Sequence, residues 1–396
     1  MTPDGAPSAT TALVTKAQNK PTLAQKLARL QSLDWDLVEA RTQGGTHGIH
    51  PYPAKFIPQI PRQLISVLAP TDGSIVLDPF CGSGTTLVEA QAAGIQAIGI
   101  DSNPLAALIT RVKTHPPSRA ISAIATQIIG EARALRAPVP PIPRLDHWFQ
   151  SDVQQALANI LSVLQQIDDA SVRDGLYVAL SSVIVRVSNQ ESDTRYAAIK
   201  KNVAASTVYE GFARAAREID AAHEDQFGGL FARPPESVKV LTKNILTATP
   251  EDIDARVGLV VTSPPYPNAY EYWLYHKYRM YWLGFDPVAV REVEIGARPH
   301  YFKKNHQTEA DFEQQMSRVF HLLKAVTTKR ALVCILVGRS IIHGRTIDNA
   351  AILERAAGRS GFNRTVTIDR TIPAHRKAFN PSHSKISSEA IMVFSR

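Results

Sequence analysis

Three short strings in this 396-residue chain combine residue types and spacings that can do chemistry. The first, Asp78-Pro79-Phe80-Cys81-Gly82-Ser83-Gly84-Thr85-Thr86, closes the apolar run that begins at Ser74. Gly82 and Gly84 let the backbone come close to a ligand with no Cβ in the way. A turn that opens a helix favours a negative group at the free N–H groups. That group would be a carboxylate: no Gly-Lys-Ser/Thr follows and the spacing is not Gly-x-Gly-x-x-Gly, which argues against phosphate chains. The second is Asp101, at the end of the next apolar run, where an acid accepts hydrogen bonds from a ribose diol. It could equally cap the segment Ser102 to Thr110, and its place one helix after the glycine loop favours the ribose. The third is Thr262-Ser263-Pro264-Pro265-Tyr266, directly after the run Val257 to Val261. Two prolines stiffen the backbone and remove two donors. The Pro264 carbonyl and Ser263 oxygen can then accept from an amino group while Tyr266 stacks on a planar base. In isolation this would read as a proline turn closed by a core tyrosine; beside the glycine loop it reads as a site.

Strand, glycine loop, helix, strand and acid together make half of a nucleotide-binding α/β fold. Five further apolar runs, at 237–245, 254–266, 330–338, 362–370 and 389–395, complete a seven-stranded, mostly parallel sheet. Residues 22–40 have helical periodicity, with Leu23, Leu27, Leu30 and Leu33 on one side, and residues 1–20 read as a flexible tail. The prolines of 50–58 forbid a helix until about Pro58, after which one can run to Leu68. Between the two halves of the α/β pattern, residues 116–236 read as a largely helical insertion. It holds an Ala/Ile-rich helix, a proline cluster from Pro138 to Pro143, and helices over 150–186 and 197–222. The polar stretch Ser188 to Tyr196 reads as a turn between them. The plan is thus a tail and helix at 1–44, one α/β domain at 45–115 and 237–396, and the insertion at 116–236.

The 44 Lys and Arg against 36 Asp and Glu, net +8, favour a polyanionic partner, most simply nucleic acid. A basic soluble protein with no such partner has the same composition. Cys81 and Cys334 offer no zinc spacing or disulfide framework, which fits a reducing cytoplasm. No metal constellation is visible. The start, Met1 to Thr15, lacks the basic and apolar regions of a signal peptide, and no apolar run reaches the roughly 18 residues of a membrane helix. The expectation is a soluble cytoplasmic protein with no membrane partner.

At these three strings the chain resembles the amino-methyltransferases of DNA, the N4-cytosine and N6-adenine enzymes. Their glycine motif is similar to Asp78–Thr86 nearly letter for letter, and their catalytic motif is Asp, Asn or Ser followed by Pro-Pro and an aromatic residue. Ser in the first position, as Ser263 here, is typical of the N4-cytosine enzymes. The segment His50 to Phe56 is similar to the family's remaining cofactor motif. The resemblance covers about residues 45–115 and 237–396. It implies a class I, Rossmann-like methyltransferase fold and S-adenosyl-L-methionine as cofactor. Phe80, Gly82, Gly84 and Thr85, with Asp78 and Ser83 of the same loop, would surround the methionine end. Asp101, with Asn103 beyond it, would hold the ribose, and Asn244 falls where the family often has an acid near the adenine. His50, Pro53, Lys55 and Phe56 would complete the cofactor site.

Ser263, Pro264, Pro265 and Tyr266 would be catalytic. An amino group paired inside a duplex cannot be reached, so the base must flip out. Transfer is then a direct in-line displacement driven by positioning and electrostatics. Cys81 lies in the cofactor loop, which disfavours C5-cytosine chemistry through a Pro-Cys nucleophile. The implied protein is a cytosine-N4-specific DNA methyltransferase acting on double-stranded DNA, with a restriction endonuclease as a possible companion. An N6-adenine DNA methyltransferase is the alternative, then an RNA guanine-N2 methyltransferase or a catalytically silent DNA-binding module. The resemblance puts target recognition in the insertion. The segment Asn268 to Asp286 is second choice, because it interleaves aromatics with His276, Lys277 and Arg279. An amphipathic core helix would have the same pattern.

Overall fold

The computed structural model describes residues 21–70, 72–228, 237–268, 270–302, 306–342, 344–372 and 388–396; the expected tail, 1–20, lies outside them. Seven strands form one sheet: β1 Ile75–Asp78, β2 Ala97–Asp101, β3 Val238–Thr242, β4 Val257–Thr262, β5 Thr327–Gly338, β6 Asn363–Thr371 and β7 Ser388–Ser395. Their order is β6-β7-β5-β4-β1-β2-β3. Five are parallel neighbours, β3 to β2 to β1 to β4 to β5, and β7 runs antiparallel to both β5 and β6. This is the mostly parallel, seven-stranded class I sheet that the resemblance implies. β1 and β4 are almost wholly apolar because helices cover both faces of the sheet, as parallel strands require.

The chain moves outward from β1 to β2 and β3, then returns to lay β4 on the other side of β1. The order therefore reverses at β1, and ligands of open α/β sheets bind outside the carboxyl ends of the strands at such a point. Asp78, Asp101 and Thr262 end the three strands concerned.

On one face of the sheet lie helices α1 Leu23–Gln31, α2 Gln59–Leu68 and α3 Thr85–Ala92. α1 is shorter than the periodicity of 22–40 suggests. It starts at a capping box of Thr22 and Gln25 and stops at Ser32. The Asp34 carboxylate then accepts the Asp36 N–H in a turn, and the Trp35 indole folds back to donate to the Leu30 carbonyl at 2.8 Å. Next comes α4 Pro104–Thr114, and then the insertion, with α5 Ile121–Ala134, α6 Ser151–Leu164, α7 Ala170–Val187 and α8 Ala205–Phe227. The polar stretch after α7 is a two-stranded hairpin, Gln190–Ser192 with Arg195–Ala198, and so α8 begins later than residue 197. The insertion shares one hydrophobic core with α4: Leu105, Leu108 and Val112 pack among Ile121, Leu157, Leu176, Ile184 and Phe212. On the other face of the sheet, helices α9 Glu309–Val326 and α10 Asn349–Arg359 cover β5 to β7. No helix among the described residues is long and apolar enough to cross a membrane.

Candidate active site

The glycine loop is built by its neighbours. Asp78 Oδ1 accepts from the Phe80 N–H at 3.1 Å and from the Thr262 hydroxyl at 2.6 Å, so the ends of β1 and β4 are tied together. Asp101 Oδ2 accepts from the Gly82 N–H at 2.9 Å and Oδ1 from the Asn103 N–H at 2.8 Å. The cap of α4 is Asn103, whose side chain accepts from the Leu105 N–H, so the capping role open to Asp101 in the sequence is filled by another residue. Gly82 and Gly84 both have positive φ, +49° and +81°.

These elements enclose a cleft at the carboxyl ends of β1, β2 and β4. Of the residues the sequence singles out, Lys55, Phe56, Asp78, Phe80, Gly82, Ser83, Thr85, Asp101, Asn103, Asn244, Ser263 and Pro265 line it. Two buried polar atoms on this wall, Ser83 Oγ and Asn103 Nδ2, have no hydrogen-bond partner. A hydroxyl and an amide left without partners in a cleft fit a ligand that carries carboxylate and hydroxyl groups, as S-adenosyl-L-methionine does.

Five of the sequence-derived residues do not line the cleft. His50 is buried, with Nδ1 against the Pro51 carbonyl at 2.7 Å and Nε2 against the Ser181 hydroxyl at 2.9 Å. It straps the loop to α7, away from the ligand space. Pro53 is buried beside it in the chain. Gly84 has a packing reason to be glycine: an added Cβ would stand 2.6 Å from Cγ2 of Thr110 on α4. Pro264 is buried, and Tyr266 is half-buried with its hydroxyl 3.4 Å from Ser263 Oγ. The Tyr266 loop is held from beyond: the Asn268 N–H donates to the Gly296 carbonyl at 2.9 Å and Asn268 Nδ2 to the Ile341 carbonyl at 2.7 Å.

Among the lining residues that the sequence reading did not select are Tyr52, Tyr272 and Glu294. Tyr52 lies over the glycine loop, with Cε1 3.5 Å from where a Gly82 Cβ would be, and stacks on Tyr272 at 5.7 Å. Both tyrosines belong to quoted segments, but neither spacing marks a ring for this wall. Glu294 completes the wall, its carboxylate accepting from the Tyr272 N–H at 2.9 Å and the Trp273 N–H at 2.8 Å. Nothing in the sequence of residues 291–300 sets Glu294 apart from Glu292 two positions before it.

Burial governs the charge of the cleft. It pushes the Asp78 carboxyl up to about 6, against the hydrogen bond from Thr262, and the Asp101 carboxyl up to about 6, against the Asn103 and Gly82 N–H groups. Burial pushes Glu294 up to about 8. It also pulls the Lys55 ammonium below its ordinary value while that group donates to the His47 carbonyl.

The aromatic segment forms two short helices, Tyr272–Tyr275 and Lys277–Trp282. Trp273, Tyr278, Met280 and Trp282 are buried in the core of the insertion. His276 is fully buried and Arg279 is 1% exposed, the Arg279 guanidinium reaching the Ser181 carbonyl, His276 Nδ1 and Asp193. Of the two sequence readings, the core one describes these residues; neither His276 nor Arg279 can meet a phosphate here.

A family model described as DNA methylase matches residues 14–110, which hold the glycine loop and Asp101. The Type II methyltransferase M.MvaI of Kocuria varians is 28% identical over 257 residues, 59% of this chain and 55% of that protein. M.MjaII of Methanocaldococcus jannaschii is 46% identical over 86 residues, 20% of this chain and 16% of that one. M.BsoBI of Geobacillus stearothermophilus is 26% identical over 288 residues, 64% and 56%. The chain thus spans about half the length of the first and third of these relatives. The family match thus covers the glycine loop and Asp101, which meet on one cleft at the carboxyl ends of the parallel strands.

Proposed function

We propose that the protein is a site-specific DNA methyltransferase that transfers a methyl group from S-adenosyl-L-methionine to N4 of a cytosine in duplex DNA. The observation that carries this reading is the meeting, on one cleft, of the glycine loop, Asp101 and Ser263 with Pro265. When bound, the cofactor supplies an electrophilic methyl group on a sulfonium. Ser83 and the loop N–H groups would hold its carboxylate, Asp101 its ribose, and Asn244 would lie near its adenine.

Ser263 Oγ and the Pro264 carbonyl would accept from the amino group of a flipped base, aiming the nitrogen lone pair, and Tyr266 would stack on the ring. The hydroxyl of Ser263 favours N4 of cytosine over N6 of adenine, by resemblance. The Type II names of the relatives support a place beside a restriction endonuclease; the resemblance puts the reading of the target sequence in the insertion and the protein in the cytoplasm.

The test is to incubate the protein with plasmid DNA of mixed sequence and S-adenosyl-L-methionine, then identify modified nucleosides by mass spectrometry. N4-methylcytosine is expected. N6-methyladenine in its place would overturn the target base and keep the reaction class. Methylation of RNA alone, or none at all, would overturn the reading.

A further inference from the structure

We propose that Glu294 reads the positive charge of the sulfonium, so that the cleft distinguishes the methyl donor from its neutral thioether product. The proposal rests on the cofactor assignment above and adds a specificity residue to it. Asp78, Asp101 and Glu294 all line the cleft, and each is held by neutral donors. The two lysines on the same wall are engaged elsewhere, Lys55 by the His47 carbonyl and Lys243 by Asp252. Among the described residues, the cleft therefore gathers negative charge with no lining cation turned toward it. That it is a ligand site follows independently from the unpartnered Ser83 Oγ and Asn103 Nδ2.

Position selects Glu294 among the three. Asp78 lies in the floor, tied to Thr262, while Asp101 and Glu294 each have both oxygens bonded to backbone N–H groups and differ in where they stand. Glu294 comes from the opposite wall. Its close charged neighbours are Asp101 and Glu271, and Tyr272 and Tyr52 flank it. Two residues on, Gly296 packs against the Tyr266 carbonyl, where a Cβ would stand at 2.7 Å. Glu294 thus lies between the ribose acid and the Ser263–Tyr266 loop. The transferred methyl must cross that interval, so the sulfonium belongs beside this carboxylate. Burial that pushes Glu294 up to about 8 makes its ionisation costly without a cation beside it. A cation beside it would offset that cost.

The probes are two adenosine derivatives without an amino-acid tail: the dimethylsulfonio cation and the neutral 5′-methylthio compound. Neither carries an amine that titrates near neutrality. Calorimetry would give both affinities on the wild-type protein and on Glu294→Gln at pH 6, 7 and 9. In the wild type, the cation-to-neutral affinity ratio should rise about tenfold between pH 7 and 9 as Glu294 ionises. In Glu294→Gln the ratio should be flat, with the neutral probe bound within about twofold of wild type. Equal losses for both probes would make Glu294 a brace for the Tyr272–Trp273 turn and overturn the proposal. A flat wild-type profile overturns it without recourse to the variant. Binding of neither probe to the wild type would overturn the cofactor assignment as well, which separates the two failures.

Discussion

Replacing Gly84 by alanine should damage the fold of the loop before it touches ligand binding. Gly84 has φ +81°, a left-handed conformation that costs other residues about 1–2 kcal/mol. The new Cβ would stand 2.6 Å from Thr110 Cγ2 and 2.9 Å from Thr110 Oγ1. Thr110 is fully buried and its hydroxyl donates to the Gly82 carbonyl at 2.9 Å, so it cannot turn aside without breaking that bond. Overpacking of this kind costs about 1–3 kcal/mol, and the sum is about 2–5 kcal/mol. Gly82→Ala meets only Tyr52 Cε1 at 3.5 Å and should cost little beyond the backbone strain, about 1–2 kcal/mol. Because Gly82 lines the cleft, its variant should lose more cofactor affinity per unit of lost stability. Urea unfolding of the ligand-free protein measures both variants, and Thr110→Ser, which removes the nearest methyl, should restore part of the Gly84→Ala loss in a double-mutant cycle. The reasoning fails if Gly84→Ala is no less stable than Gly82→Ala, or if Thr110→Ser brings no relief.

Tyr266→Ala should lower kcat by one to two orders of magnitude, since stacking on a base is worth about 1–3 kcal/mol. It should change cofactor affinity little, because Tyr266 does not line the cleft, and Tyr266→Phe should stay active; a fully active alanine variant would remove this ring from catalysis. Asp78, 4% exposed, has its carboxyl pushed up from 3.8 to about 6, so its stabilising contribution is present below pH 4 and lost as pH rises through 6. Asp78→Asn should therefore gain stability relative to wild type, by up to about 3 kcal/mol between pH 4 and 7 in urea unfolding, and a flat difference would refute this. Arg279→Met should cost about 1–3 kcal/mol by leaving the buried Ser181 carbonyl without its donor, Asp193 being exposed enough to be rehydrated. The folded variant should bind DNA as before, and a normal melt with lost DNA binding would show that Arg279 reaches phosphate after all.

What the sequence carries well is what a residue's own backbone demands. Each apolar run that ends in Asp78, Asp101 or Thr262 becomes a strand of the expected sheet, because strands covered on both faces must be apolar throughout. The Gly82 and Gly84 positions are legible because their positive φ excludes most side chains. What such a string does not carry is the direction in which the demand acts. Gly84 is constrained by Thr110, 26 positions away on α4, and His50 by Ser181, 131 positions away on α7. Both look like ligand residues in the sequence, and the fold gives each a packing partner that the sequence does not mark.

The segment from Tyr272 to Trp282 shows the same difficulty with charge. Aromatics interleaved with His276, Lys277 and Arg279 describe a nucleic-acid surface and a polar-lined core equally well. The choice is made by Asp193, which meets Arg279 across 86 positions and neutralises it inside the insertion. Lys277 forms no ion pair with a carboxylate among the described residues. It lies over the rings of Trp273 and Tyr196 at 5.9 and 6.0 Å, so its charge is held at the surface by stacking. Composition predicts equal roles for these two cations, and burial separates them. The same long-range logic hides Glu294, whose partners Tyr272 and Trp273 are 22 and 21 positions back. An acid of this kind becomes visible only when the wall facing the glycine loop is assembled. The groups that a site borrows from across a cleft are therefore the ones that sequence spacing cannot mark.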